Sequence, residues 1–148
     1  MKKLLYVICL MVIVVTGCED RREARLAERR AGTYWGEFNT LRSNEATGID
    51  TLMEVKLTQS HVDPECLMMN GFELEPEDGV YEYDSDAVTA TEWQQVCELC
   101  GIPADYLSET PRRLSIEVKF YSANMTIYIM YRGEEDALGR TQFTGTRR

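Results

Sequence analysis

The chain has 148 residues, with 25 acidic against 16 basic side chains, one histidine and a formal charge of −9. That length suits one domain with one core once terminal segments are set aside. The acidic balance argues against a surface built to hold phosphates, so no nucleic-acid partner is expected.

The chain opens on Met1-Lys2-Lys3, followed by an unbroken apolar run of twelve residues, Leu4 to Val15. A bilayer-spanning helix needs about 20 apolar residues, whereas the core of an export signal needs roughly 7–15. The run closes on Val15-Thr16-Gly17-Cys18: one aliphatic residue, two small ones, then cysteine. This resembles a lipobox, in which the Cys18 thiol accepts a diacylglyceryl group and the small residues open the Gly17–Cys18 bond to a peptidase. Residues 1–17 are therefore expected to be removed as a signal peptide. Cys18 becomes the lipid-anchored first residue of a mature chain of formal charge −11. Lipidation implies the cell envelope. Glu19 and Asp20 resemble the acidic tethers of surface lipoproteins of Bacteroidota, which favours the outer membrane, at its periplasmic face or at the cell surface; in enterobacterial lipoproteins an acidic residue at that place can instead favour inner-membrane retention.

Residues 18–31 carry five arginines (Arg21, Arg22, Arg25, Arg29, Arg30) and four acids (Glu19, Asp20, Glu23, Glu28) with no core pattern. Charge pairing at helical spacing is mixed, since Arg25 meets both Glu28 and Arg29. The segment reads as a charged spacer, frayed or helical, between membrane and domain.

The folded part is expected over 32–148. Thr33–Arg42 is aromatic and β-prone, with Tyr34, Gly36 and Phe38 on one side and Trp35 and Glu37 on the other. Leu52–Thr58 alternates, with Met53, Val55 and Leu57 inward, and Ser43–Asp50 reads as the turn between these two strands. Cys66–Glu75 reads as a strand interrupted at Asn70-Gly71, and Glu75–Gly79 as a turn into a short strand at Val80–Tyr83. Thr89 and Glu92 then form a capping-box pattern, and Trp93, Val96, Cys97 and Cys100 fall on one helical face. Gly101 and Pro103 end that helix, so an inserted helix is predicted over 89–100. Leu114–Phe120 and Met125–Tyr131 alternate as strands, Gly133–Gly139 is an acidic loop, and Arg140–Gly145 is a terminal strand. The expectation is a mainly β domain of about seven antiparallel strands with one inserted helix, closed as a barrel or packed as a sandwich.

The strands GTYWGEF, MTIYIMYRG and FTGTR resemble those of small calycin-like, lipocalin-related lipoproteins of Bacteroidota. The resemblance implies a β-barrel with an interior over residues 32–148 and supplies no catalytic residues. The helix with its cysteines is not a feature of that group.

The chemistry-bearing residues are few. Cys97-Glu-Leu-Cys100 stands at the C-terminal end of a helix, where the dipole opposes thiolate formation, unlike a redox CxxC at an N-terminus. In an oxidising compartment, Cys66, Cys97 and Cys100 instead suggest one structural disulfide, from Cys66 to Cys97 or Cys100, with the third thiol buried. These thiols and His61 make a poor zinc set, and His61 has no recognisable triad partner. No catalytic residue, metal or cofactor is expected. From Leu57 to Pro111 there is no Lys or Arg but thirteen acids, among them Glu73, Glu75, Glu77, Asp78, Glu82, Asp84 and Asp86. Asp84-Ser-Asp86 opens like a calcium loop, but Thr89 stands where the required glycine belongs. Trp35, Tyr81, Tyr83 and Tyr128 are candidate ligand-binding residues in a barrel. The leading functional expectation is a non-enzymatic, lipid-anchored binding module holding a small apolar molecule or glycan fragment in the barrel. The alternative is a protein-interaction lipoprotein, an inhibitor or accessory subunit, that presents its acidic face to a basic partner.

Overall fold

The computed structural model describes residues 21–42, 45–103, 106–107, 109–133 and 138–148. The signal peptide and Cys18 lie outside the described residues. Eight strands, β1 (Gly32–Arg42), β2 (Glu45–Gln59), β3 (Leu67–Met69), β4 (Phe72–Glu77), β5 (Val80–Ser85), β6 (Arg113–Tyr121), β7 (Asn124–Arg132) and β8 (Leu138–Arg147), follow one another around a closed antiparallel barrel. β8 returns to pair with β1, from Tyr34 opposite Arg147 to Arg42 opposite Gly139. Closure leaves no sheet edge for another chain to extend.

Strand alternation sets the interior. Tyr34, Phe38, Leu57, Leu74, Tyr81, Ile116, Ile127 and Phe143 point inward and are buried, and their sequence neighbours point out. Phe38 and Phe143 are cross-strand partners with ring centroids 4.8 Å apart. Each fully buried Leu, Ile or Phe contributes on the order of 1.5–3 kcal/mol, and together they form one contiguous cluster. Gly36 and Gly145 face each other across the β1–β8 seam. A Cβ on Gly36 would lie 2.1 Å from the Thr144 carbonyl oxygen, so only glycine permits this closure.

The eighth strand comes from Asn70-Gly71. Both residues have positive φ, 46° and 92°, which turns the expected interruption into a tight hairpin joining β3 to β4. Asp78-Gly79, at 46° and 84°, repeats the device between β4 and β5, so the turn expected over Glu75–Gly79 narrows to two residues. The turn expected over Ser43–Asp50 is corrected as well. β2 begins at Glu45, and Asp50 already pairs with Asn39.

Among the described residues two helices flank the strands, α1 over residues 21–30 and α2 over Ala90–Cys100. α2 joins β5 to β6 and follows the expected pattern. Thr89 is its N-cap, Glu92 completes the capping box, and Gly101 ends it with φ 66°. It buries Trp93, Val96, Cys97, Leu99 and Cys100, and Trp93 packs on Tyr131 at 4.9 Å between ring centroids. The Asn70 side chain donates to the Gln95 carbonyl at 2.7 Å, which fixes α2 at the barrel end where β3 turns into β4.

Of the two forms expected for the charged segment, α1 is the helical one, and residues 21–30 dock on the opposite end of the barrel. Ala27 is fully buried. Gln59 donates to the Ala24 carbonyl at 2.9 Å, and the Tyr34 hydroxyl to that of Arg30 at 2.9 Å. Arg147 donates to the carbonyls of Arg29 and Ala31 at 2.6 and 2.7 Å. These are the carbonyls a helix C-terminus leaves without intrahelical partners. The Arg30 guanidinium lies 5.2 Å from the Tyr81 ring centre and 5.0 Å from that of Phe120.

Candidate functional site

The interior is the first place to seek a site, because the candidate aromatics were assigned to it. They do not converge. Tyr81 points inward and is fully buried beside Phe120. Tyr83 packs on Phe72 at the α2 end, and its hydroxyl donates to Glu92. Tyr128 stands on the outer face between Lys119 and Arg140. Trp35 is on the outer face of β1, partly exposed, beneath the Arg148 guanidinium. Strand parity puts Tyr81 and Tyr83 on the inner face of β5, the second toward the α2 end, and leaves Trp35 and Tyr128 on the outer face.

The cysteines are also apart. Cys66 precedes β3 at the α1 end, whereas Cys97 and Cys100 belong to the buried face of α2 at the other end. Roughly 13 Å of strand separates the two ends of this hairpin, and a disulfide needs Cα atoms about 4.4–6.8 Å apart. The bridge expected from Cys66 is therefore not formed, and all three thiols are free and buried. Burial pushes the Cys66 thiol up to about 12, with Asp63, Glu73 and Glu75 adding to the effect. Burial raises Cys97 to about 11 and Cys100 well above its ordinary value. Such thiols are poor nucleophiles and poor metal ligands at neutral pH. His61 is an exposed loop residue.

What the fold does bring together is acid, on the outer wall of β4, β5 and β6. Alternation points Phe72 and Leu74 into the core and leaves Glu73, Glu75 and Glu77 outside. On β5 it does the same for Glu82 and Asp84. The register sets Glu75 directly opposite Glu82, and Glu82 directly opposite Glu117. Glu73, Glu75, Pro76, Glu77, Glu82, Tyr83 and Asp84 line one open groove of about 570 Å³.

Like charges directly opposite on a sheet are destabilising, by a few tenths to about 1 kcal/mol per pair. The Glu82 carboxyl responds: packing of its neighbours raises its pKa, and the charges of Glu77, Glu117 and Asp84 raise it further, against the opposing pull of Lys119. Lys119 reaches Glu117 at 2.6 Å and stands at the edge of the ladder. Asp86, outside the groove, pairs with Arg113 at 2.9 Å. Among the described residues no three His, Cys, Asp or Glu converge as a metal site, so the wall is a spread surface of charge. The acidic run was visible in the sequence. Glu117, which lies outside that run, was missed, because only the pairing register brings it opposite Glu82.

No protein-family model, curated protein or solved structure matches this chain.

Proposed function

We propose that this is a non-enzymatic envelope lipoprotein, anchored through Cys18, that works through its outer surface and presents the β4–β5–β6 acidic wall to a basic protein partner. The observation that carries the reading is the in-line ladder Glu75, Glu82, Glu117, the first two of which line the open acidic groove with Glu73, Glu77 and Asp84. Carboxylates directly opposed across a sheet work against folding, and Lys119 offsets part of that cost at the Glu117 edge, whereas a cationic partner would neutralise the Glu75–Glu82 pair as well. The second reading, a small apolar ligand or glycan fragment held inside a calycin-like barrel, has less support. Tyr81, Phe38, Phe72 and Phe143 occupy the interior, and a helix packs at each end.

A photo-crosslinking side chain at Glu77, tested in cells against the same substitution at Asn39 on the opposite wall, separates the readings. An adduct to a basic protein is expected from position 77 alone. It should disappear in Glu75→Lys/Glu82→Lys and weaken at high ionic strength. Equal labelling from both walls, or capture that survives high salt, would count against the acidic-wall reading, and salt-resistant capture of a small molecule would favour the ligand reading.

A further inference from the structure

The docked α1 gives the molecule a second charged surface, of opposite sign. Its inner side is Ala27 and Arg30, held to the barrel as described. Its outer side carries Arg21, Arg22, Arg25 and Arg29, all exposed, with Leu26 among them. Glu28 is the one exposed acid on the helix. At the same end of the barrel, Arg147 ends β8 and Arg148 follows it, Tyr121 ends β6 at 59% exposure, and Val62, in the β2–β3 loop, is 89% exposed. Seven of the fourteen cationic residues after Cys18 belong to this end, in a mature chain of charge −11.

Cys18 precedes Arg21 by three residues, a reach of at most about 10 Å when fully extended. A lipid on Cys18 therefore holds the arginine side of α1 at headgroup depth, within about one Debye length of the bilayer surface. Because the helix is bonded to the barrel through its own terminal carbonyls, the barrel cannot swing away as it would on a flexible spacer. The turns at this end of the barrel also carry Asp63, Glu65, Glu77 and Asp78, so the attraction to an anionic membrane comes from the outer face of α1 and not from the end as a whole, and it is that face which selects the orientation.

We infer that the α1 end is a membrane-docking face, on which Arg21, Arg22, Arg25 and Arg29 bind the phosphates of anionic phospholipids, with Tyr121 and Val62 at the rim. The proximity argument rests on lipidation of Cys18, but the arginine surface does not, and the test keeps the two apart. The unlipidated mature chain, carrying Cys18→Ser, is sedimented at low ionic strength with vesicles containing phosphatidylglycerol and with vesicles of phosphatidylcholine alone. Binding to the first and not to the second is expected. Each arginine near such a surface contributes about fivefold, so reversal of all four to Glu should cost at least tenfold. Replacement of all four by Lys should preserve binding, since a phosphate surface reads the charge. Unchanged melting temperatures check that both variants fold. Indifference of the parent chain to phosphatidylglycerol would overturn the inference, as would undiminished binding of the Glu variant or loss of binding in the Lys variant. Mass spectrometry of the N-terminus of the cell-derived protein tests lipidation separately, and a negative result there leaves the vesicle result standing.

Discussion

The two helices close opposite ends of the same barrel by different means. α2 buries an aromatic ring, two thiols and two aliphatic side chains. α1 buries one alanine methyl and is otherwise held by its Arg30 guanidinium over two rings and by side chains that reach its main-chain carbonyls. Removing apolar surface from water gives α2 a large and non-directional gain. Hydrogen bonds exchanged with water leave α1 a small net gain but a fixed orientation. The first arrangement builds a core, and the second positions a charged surface without hiding it.

The sharpest way to break this comparison is Trp93→Ala. The ring is 6% exposed and packed at a tilt on Tyr131, so truncation should cost about 3–5 kcal/mol, a large part of a total near 5–15 kcal/mol. Chemical denaturation should show the loss as a lower midpoint. Trp93→Phe should cost far less, because the indole N–H has no hydrogen-bond partner in its buried site and its loss removes an unsatisfied donor.

Arg147→Ala probes the other end. It deletes two charge-assisted hydrogen bonds to α1, worth about 1–2 kcal/mol at an exposed position. The expected outcome is local. Hydrogen exchange should accelerate over 24–31 while the barrel midpoint barely moves. A global loss as large as that of Trp93→Ala would mean that α1 belongs to the core and that the contrast drawn here is false.

The same contrast explains what could be read from the sequence. Capping residues, a helical apolar stripe and Gly101 lie within thirteen consecutive positions, so α2 was legible. The attachment of α1 comes from Gln59 and Arg147, 35 and 118 positions distant from the residues they hold, and a single alanine makes no stripe. Strands such as β6 were legible because every second residue is apolar and buried. The same parity already placed Trp35 opposite Tyr34, so grouping Trp35 with the inward Tyr81 set residues from two sides of one wall in one pocket. The Cys66 bridge failed for a comparable reason: compartment chemistry permits a disulfide, but the β3–β4 hairpin places the thiols at opposite ends.

The smallest effect separates the acid that builds the fold from the acid that burdens it. Glu92 and Glu82 lie ten residues apart in one acidic run. Glu92 accepts from the Tyr83 hydroxyl and from the Thr89 amide, bonds that hold its carboxyl below the usual range. Its stabilisation is present above the unfolded carboxylate pKa and is lost as pH falls through the lowered folded value. Glu82, raised by packing and then by Glu77, Glu117 and Asp84, has the opposite sign. The folded state holds its proton more tightly than the unfolded chain, so its charge works against folding at neutral pH and ceases to do so as pH falls through the raised folded value. Glu82→Gln should therefore stabilise the domain at neutral pH by a few tenths to about 1 kcal/mol, and the gain should vanish in acid. Glu92→Gln should destabilise at neutral pH, with a loss that also fades in acid. Thermal melts of both variants across the carboxylate range check the pair. If Glu82→Gln gave no gain at neutral pH, the opposed carboxylates would cost the fold nothing. The ladder would then need no partner to account for it.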